Sequence, residues 1–426
     1  MPSTDVLAHA IAAALLDGTW EPAAMRARIR ATFGIDRPWM RKLAQAARAQ
    51  YAIAPAAALG ELAKWLRSQP AFHTVLRARP QIVHYALPAP AMAESPWPVP
   101  ALATPRELST WLGFELDTLD VLADPRPIAD ARARHYRYAW IAKPSGGQRL
   151  VEAPKWRLRT VQRRILDGIV DQIPPHDAAH GFRRGRSVAT FAAPHVGREV
   201  VLRLDLQAFF SSVFAARVVG MLRTAGYPEA VSRMLAALCT HRTPADILAA
   251  APFADRPRLR SAHLPQGAPT SGALANLAAY RLDVRIAGLA RTLDATYTRY
   301  ADDLVLSGDR ALARAAPSVL ARLAAIAADE GFTVNHKKTR VMTSGSRQRI
   351  TGVVVNEKLA VPRAEVERLR AILHNCRRHG PASQNRDQHP DFRAHLRGRV
   401  AWIDSLDPAK GARLRVLLEQ IGWDAP

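Results

Sequence analysis

Thr298-Arg299-Tyr300-Ala301-Asp302-Asp303-Leu304-Val305-Leu306-Ser307-Gly308 places two adjacent carboxylates between apolar, β-prone runs at 295–300 and 304–306. That pattern predicts a β-hairpin with the acids at its turn. Neighbouring carboxylates repel each other and gain nothing from core packing. Asp-Asp is also an ordinary turn dipeptide. The remaining chain therefore decides whether the pair is a turn or a site.

The chain has 426 residues, enough for two or three domains with real cores, and an apolar fraction of 48%, that of a globular protein. Lys and Arg number 60 against 37 Asp and Glu, a net charge of +23. So positive a balance, with clustered basic residues, predicts a polyanionic partner, nucleic acid before anionic membrane. Two distant cysteines, Cys239 and Cys376, make no disulfide scaffold and fit a reducing, cytoplasmic setting. The first 16 residues lack a basic leader and are interrupted by Asp5 and His9, so they read as an amphipathic helix. No run approaches about 18 uncharged apolar residues, so neither a membrane span nor a membrane partner is expected.

Residues 1–70 read as a helical bundle. Val6, Leu7, Ala10, Ile11, Ala14 and Leu15 share one face, and Met25, Ile29 and Phe33 follow at spacing four. Residues 71–105 include Pro88, Pro90, Pro96, Pro98 and Pro100 and read as a linker or extended strap. Thr104-Pro105-Arg106-Glu107 then opens a helix. Between 132 and 164 ten basic residues are met by one acid, Glu152, with Tyr136, Tyr138, Trp140 and Trp156 interleaved. Segments 136–142 and 148–152 alternate around Pro144-Ser145-Gly146-Gly147, predicting a basic hairpin suited to phosphates and bases. The loop at 180–187 carries Gly181, Gly185 and three arginines, Arg183, Arg184 and Arg186, a phosphate-contact pattern.

The run at 200–213 predicts a strand ending in Asp205, where a carboxylate is placed either for a metal or to cap a helix. The Gly- and Pro-rich loop at 263–272 feeds a helix over 273–290, whose N-terminus suits an anion. A helix over 312–330, a strand over 349–356 with Gly352 near its middle, and basic helices over 363–426 complete the chain. His374, Cys376, His379, His389 and His395 lack paired zinc spacing, so no zinc is expected.

Taken in order, these parts resemble reverse transcriptases of the bacterial retron type, from about Arg134 to the C-terminus. Asp205 with Phe209-Phe210 resembles the first catalytic motif, and the run Leu264 to Ser271 the second. Tyr300-Ala301-Asp302-Asp303 resembles the third, 331–339 the fourth, and 349–356 the primer-side segment. The resemblance implies an α+β, right-hand polymerase fold: fingers at 106–200, a palm with an antiparallel sheet at 201–355, and a helical basic thumb at 356–426. It implies nucleotidyl transfer with two Mg²⁺ ions held by Asp205 and Asp302, with the Leu206 carbonyl contributing and Asp303 a weaker or indirect partner.

Phe210 would then exclude a 2′-hydroxyl, Gln266 and Gly267 would line the nucleotide pocket, and Arg149 with Lys143 or Lys155 would hold the triphosphate. Lys338, or its neighbour Lys337, would donate a proton to pyrophosphate. Ile350-Thr351-Gly352 resembles the retron Val-Thr-Gly signature. Phe191-Ala192-Ala193-Pro194-His195 keeps the Ala and His of Asn-Ala-x-x-His but not the Asn. Arg183, Arg184, His195, Thr351 and Gly352, with Arg393, Arg397 and Arg399 of the thumb, are the expected RNA contacts.

A retron enzyme would copy a structured noncoding RNA, which serves as template and primer, using dNTPs. It would start from a 2′-hydroxyl and yield branched single-stranded DNA, and it would act in phage defence with an effector protein. The N-terminal residues would dock that effector or brace the fingers. A group II intron-like enzyme and a non-catalytic nucleic-acid-binding relic are the alternatives.

Overall fold

The β-prone runs around Asp302-Asp303 pair as predicted. In the computed structural model, β4 (Thr296–Tyr300) and β5 (Asp303–Gly308) are antiparallel, with Tyr300 opposite Asp303. Strand β3 (Val200–Asp205) lies on the other side of β5, and β6 (Arg340–Thr343) lies beyond β3, giving a four-stranded sheet of order β4-β5-β3-β6. Two hairpins, β1–β2 (Tyr136–Ala142, Gln148–Pro154) and β7–β8 (Arg349–Ile350, Val353–Val354), are separate. All the strand pairs are antiparallel and the rest is largely helix, an α+β arrangement. The structure describes residues 2–55, 59–85, 91–124, 126, 130, 132–143 and 146–423. Pro88, Pro90, Pro144 and Ser145 lie outside them.

The chain divides into two compact units, Met1–Ala91 and Met92–Pro426. The first is helical, with Thr4–Leu16, Pro22–Phe33, Pro38–Gln50, Leu59–Arg67 and Pro70–Ala78. Leu7, Ile11, Met25, Ile29, Met40, Leu43 and Leu62 fill its core. The last helix lies in the stretch read from sequence as linker or strap. Pro70 occupies its first turn, where the missing N–H costs nothing, and Phe72 and Val75 are buried. Residues 91–100 form neither helix nor strand and bend at Pro96-Trp97, and Met92, Trp97 and Val99 pack on the core of the second unit.

In the second unit the sheet buries both faces, and period-2 alternation sorts its residues. Val200, Leu202, Leu204, Leu304 and Leu306 join the core that contains the helix Arg310–Asp329. Val201 and Val305 join Ile350, Val353 and the C-terminal helices Arg363–His379, Phe392–Leu406 and Pro408–Glu419. Arg203, Asp205 and Asp303 share this second face, because Asp205 is opposite Asp303 and Arg203 opposite Val305. The helix Arg310–Asp329 is long and apolar enough to cross a membrane by composition alone. Its stripe Leu312, Ala316, Val319, Leu323 and Ala327 is instead buried in this core.

Two sequence expectations are corrected. The segment 349–356 is not one strand, because positive φ at Thr351 (43°) and Gly352 (88°) folds it into the β7–β8 hairpin. The helix expected over 273–290 breaks at Ala279 into Ser271–Ala278 and Tyr280–Thr292.

Candidate active site

Strand β3 carries Asp205 to its end, and the two-residue loop Ala301-Asp302 brings the second acid alongside. Ala301 has φ +55°, the sign pattern of a tight hairpin turn. The Leu206 N–H donates to the Asp302 carbonyl at 2.9 Å, so the two acids are joined through backbone. Leu206 is buried and bridges Val334. Gly181 closes over the turn, where a Cβ would stand 2.8 Å from the Ala301 nitrogen, so only glycine fits.

The three carboxylates have different surroundings. Asp205 accepts from Lys338 Nζ at 2.9 Å and from Asn335 Nδ2 at 3.3 Å. Asp303 is gripped on both oxygens by Arg203, at 2.7 and 2.8 Å, and accepts from the Thr351 hydroxyl at 3.0 Å. No side chain among the described residues donates to Asp302. Burial, then the charges of Asp303 and Asp205, push its carboxyl up to about 6, against the pull of Lys338.

This set suits a hard divalent cation. Asp205 and the uncommitted Asp302 offer oxygens side by side. Among the described residues no three His, Cys, Asp or Glu side chains form a protein-only cage.

The second unit also holds an open cleft of about 780 Å³, which none of the three carboxylates lines. Phe210, Gln266, Gly267, Arg183 and Arg184 all line it, as do Arg159 and Arg163, which the sequence reading did not single out for a role. Phe210 packs edge-on to Phe182 at 5.8 Å and leans on Phe209. Arg183 and Arg184 reach surface acids, Asp177 and Asp167. Lys143 and Arg149 are exposed on the β1–β2 hairpin and do not line the cleft. Lys155 donates to the Arg132 carbonyl. The hairpin is seated on the loop of Gln266: the Glu152 N–H donates to the Gln266 carbonyl at 2.8 Å. The Glu152 carboxylate is buried against His263 (2.9 Å) and Thr243 (2.7 Å). Glu152, the lone acid of a basic segment, is thus a seat for the hairpin.

His195, expected at the RNA, is fully buried, and its ring nitrogens bond Ser307 (2.6 Å) and Thr298 (2.7 Å), so it pins β4 and β5. Thr351 turns its hydroxyl to Asp303, and Gly352 completes the β7–β8 turn. Arg393, Arg397 and Arg399 lie on Phe392–Leu406. Arg393 stacks over Trp423 at 5.5 Å, and with Arg397 it lines a separate groove of about 730 Å³.

The residue the sequence reading passed over is Arg299. It is fully buried, paired with Asp283 at 2.6 Å, and donates at 3.0 Å to both Asn276 Oδ1 and the Ala301 carbonyl, fixing the acidic turn from below. Burial works against its charge, but Asp283 outweighs it and holds the guanidinium above its ordinary value. The signal was a lone charge inside an apolar strand, which demands a buried partner. Arg203 carries the same signal.

A family model described as reverse transcriptase (RNA-dependent DNA polymerase) matches residues 141–367. The Retron Mx65 reverse transcriptase of Myxococcus xanthus is 43% identical over 363 residues, 82% of this chain and 80% of that one. The Retron Mx162 reverse transcriptase of the same organism is 38% identical over 74% of this chain and 65% of its own. The Retron Ec86 reverse transcriptase of Escherichia coli is 31% identical over 67% and 81%. The chain belongs to the retron-type reverse transcriptases and is an RNA-directed DNA polymerase.

Proposed function

We propose that the second unit is a right-hand polymerase, with fingers at 106–200, a palm at 201–355 and a helical thumb at 356–426. It copies a structured noncoding RNA into branched single-stranded DNA. The observation that carries this reading is the meeting of Asp205 and Asp302, tied by the bond from the Leu206 N–H to the Asp302 carbonyl. Asp205 and Asp302, with the Leu206 carbonyl, would hold two Mg²⁺ ions, which supply charge neutralisation and alignment for nucleotidyl transfer. Phe210 stands in the cleft as the barrier to a 2′-hydroxyl, and Gln266 and Gly267 line the nucleotide's seat. Arg149 and Lys143, outside the cleft on the β1–β2 hairpin, would meet the triphosphate only on a movement of that hairpin. Lys338, bonded to Asp205, is the proton donor to pyrophosphate in preference to Lys337.

The retron names of the relatives support a noncoding RNA partner. In this reading the RNA is both template and primer, the setting is cytoplasmic, and the enzyme acts in phage defence with an effector protein. The test is Asp302→Asn. Synthesis from an RNA template should vanish while RNA affinity stays within about twofold, because affinity comes from distant basic surface. Primer extension near the wild-type rate would overturn the assignment.

A further inference from the structure

Ile350 pairs with Val353, so Thr351-Gly352 is a two-residue hairpin loop, and both residues have positive φ. Such loops take Asn, Asp or Gly at the first position. A β-branched residue there is a conformational outlier, since its Cβ crowds the backbone. Strain of this kind persists where the side chain does something glycine cannot. Here the Thr351 hydroxyl donates to Asp303 Oδ2 at 3.0 Å. Arg203 holds the same carboxylate from β3, its Nε and Nη2 on Oδ1 at 2.9 and 2.7 Å and Nη2 on Oδ2 at 2.8 Å. Both oxygens of Asp303 are therefore committed, while among the described residues no side chain donates to the carboxylate of the preceding residue, Asp302.

We propose that Thr351 is a positioning residue: with Arg203 it clamps the Asp303 carboxylate, so that Asp302 alone is presented to Asp205. Without the clamp, three carboxylates would compete for one small region and adopt several arrangements. With it, one acid is neutralised and fixed, and the other two are left for the reaction. The signature Ile350-Thr351-Gly352 then serves the acid pair rather than reading RNA directly. Gly352 supplies the second positive φ, and Ile350, fully buried, anchors the hairpin in the core. This inference rests on the proposed reading of Asp205 and Asp302 as the reaction centre.

Three variants of the full chain separate the roles. Thr351→Val keeps the shape and the strain but loses the donor. Thr351→Gly loses the donor and relaxes the turn. Thr351→Ser keeps the donor. For each, kcat and the KM for dNTP are measured on a saturating RNA template–primer, together with RNA Kd and the thermal midpoint. Val and Gly should each lower kcat about tenfold, the scale of a lost hydrogen bond to a charged group. KM and RNA Kd should stay within about twofold. Ser should recover most of the loss, and Gly should melt no lower than wild type while remaining impaired.

Wild-type kcat in Thr351→Val or Thr351→Gly would overturn the inference. So would a weakened RNA Kd with kcat intact, which would put the hydroxyl on RNA. Asp302→Asn, run alongside, tells the two readings apart. If it still polymerises, the reaction centre itself is misassigned. If it is inactive while Thr351→Val is fully active, only the clamp fails.

Discussion

Arg299→Met is the most exacting test of the fold beneath the acids. The guanidinium is fully buried and donates twice to Asp283 (2.6 and 2.8 Å), once to Asn276 and once to the Ala301 carbonyl. A methionine fills much of the volume but donates nothing. Asp283, equally buried, would keep only the Tyr297 hydroxyl at 2.7 Å. Removing one member of a buried pair leaves an uncompensated charge and costs about 3–5 kcal/mol. Replacing both members with apolar residues is often close to neutral. Arg299→Met should therefore lower stability by about that amount, and Arg299→Met with Asp283→Leu should recover more than half of it. The assay is urea unfolding, read as the midpoint shift times the slope. Below the transition, both variants should still synthesise DNA more slowly, because the Ala301 carbonyl has lost its donor and the acidic turn is freer. A single variant costing less than about 1 kcal/mol, or a double variant less stable than the single, would refute the argument.

Phe210→Ala should admit ribonucleotides, and competition of dNTP against rNTP measures it; unchanged discrimination would remove the barrier role. Replacing Arg393, Arg397 and Arg399 together should flatten the slope of log RNA affinity against log salt by roughly two units, at about 0.7–0.9 for each phosphate contact. An unaltered slope would make these arginines a solvated face. His195 bears on pH. Burial foremost, with Arg198 and His180, pulls its pKa from 6.5 to about 3. The unfolded chain therefore takes up a proton below pH 6.5 that the folded chain refuses, and stability falls as pH drops toward 3. Between pH 6.5 and 5 this amounts to about 2 kcal/mol. Urea midpoints at pH 7 and pH 5 should diverge less in His195→Gln than in wild type.

The sheet was legible in sequence because its strands announce themselves: 200–205 and 304–306 are apolar runs ending or starting at acids, and the Asp pair marks the turn. Phe210, Gln266, Gly267, Arg183 and Arg184 were legible as separate motifs, and folding gathers them along one cleft. What sequence hid were partnerships across distance. Nothing local says that Arg299 meets Asp283, that Glu152 meets His263, or that Arg203 and Thr351 converge on Asp303. His195 reads in sequence as a contact in a signature, and sequence does not say that its two nitrogens join adjacent strands. The β7–β8 turn was missed because threonine at positive φ runs against local preference, and only the pull of Asp303 makes sense of it.

The strand order β4-β5-β3-β6 also governs when the enzyme comes into existence during synthesis. β3 is central, yet both of its neighbours are made later, and Asp303 follows Arg203 by 100 positions. At cellular translation rates that is about 5–20 s in which a strand of Val200, Val201, Leu202 and Leu204 has no strand to pair with. Such an open, apolar edge is a template for association with other chains. The arrival of β4 and β5 covers one edge of β3 and delivers Asp302 in the same event, and the other edge waits for β6. Shielding of the first edge and assembly of the acid pair thus coincide, and a chain that stops before β4 has neither.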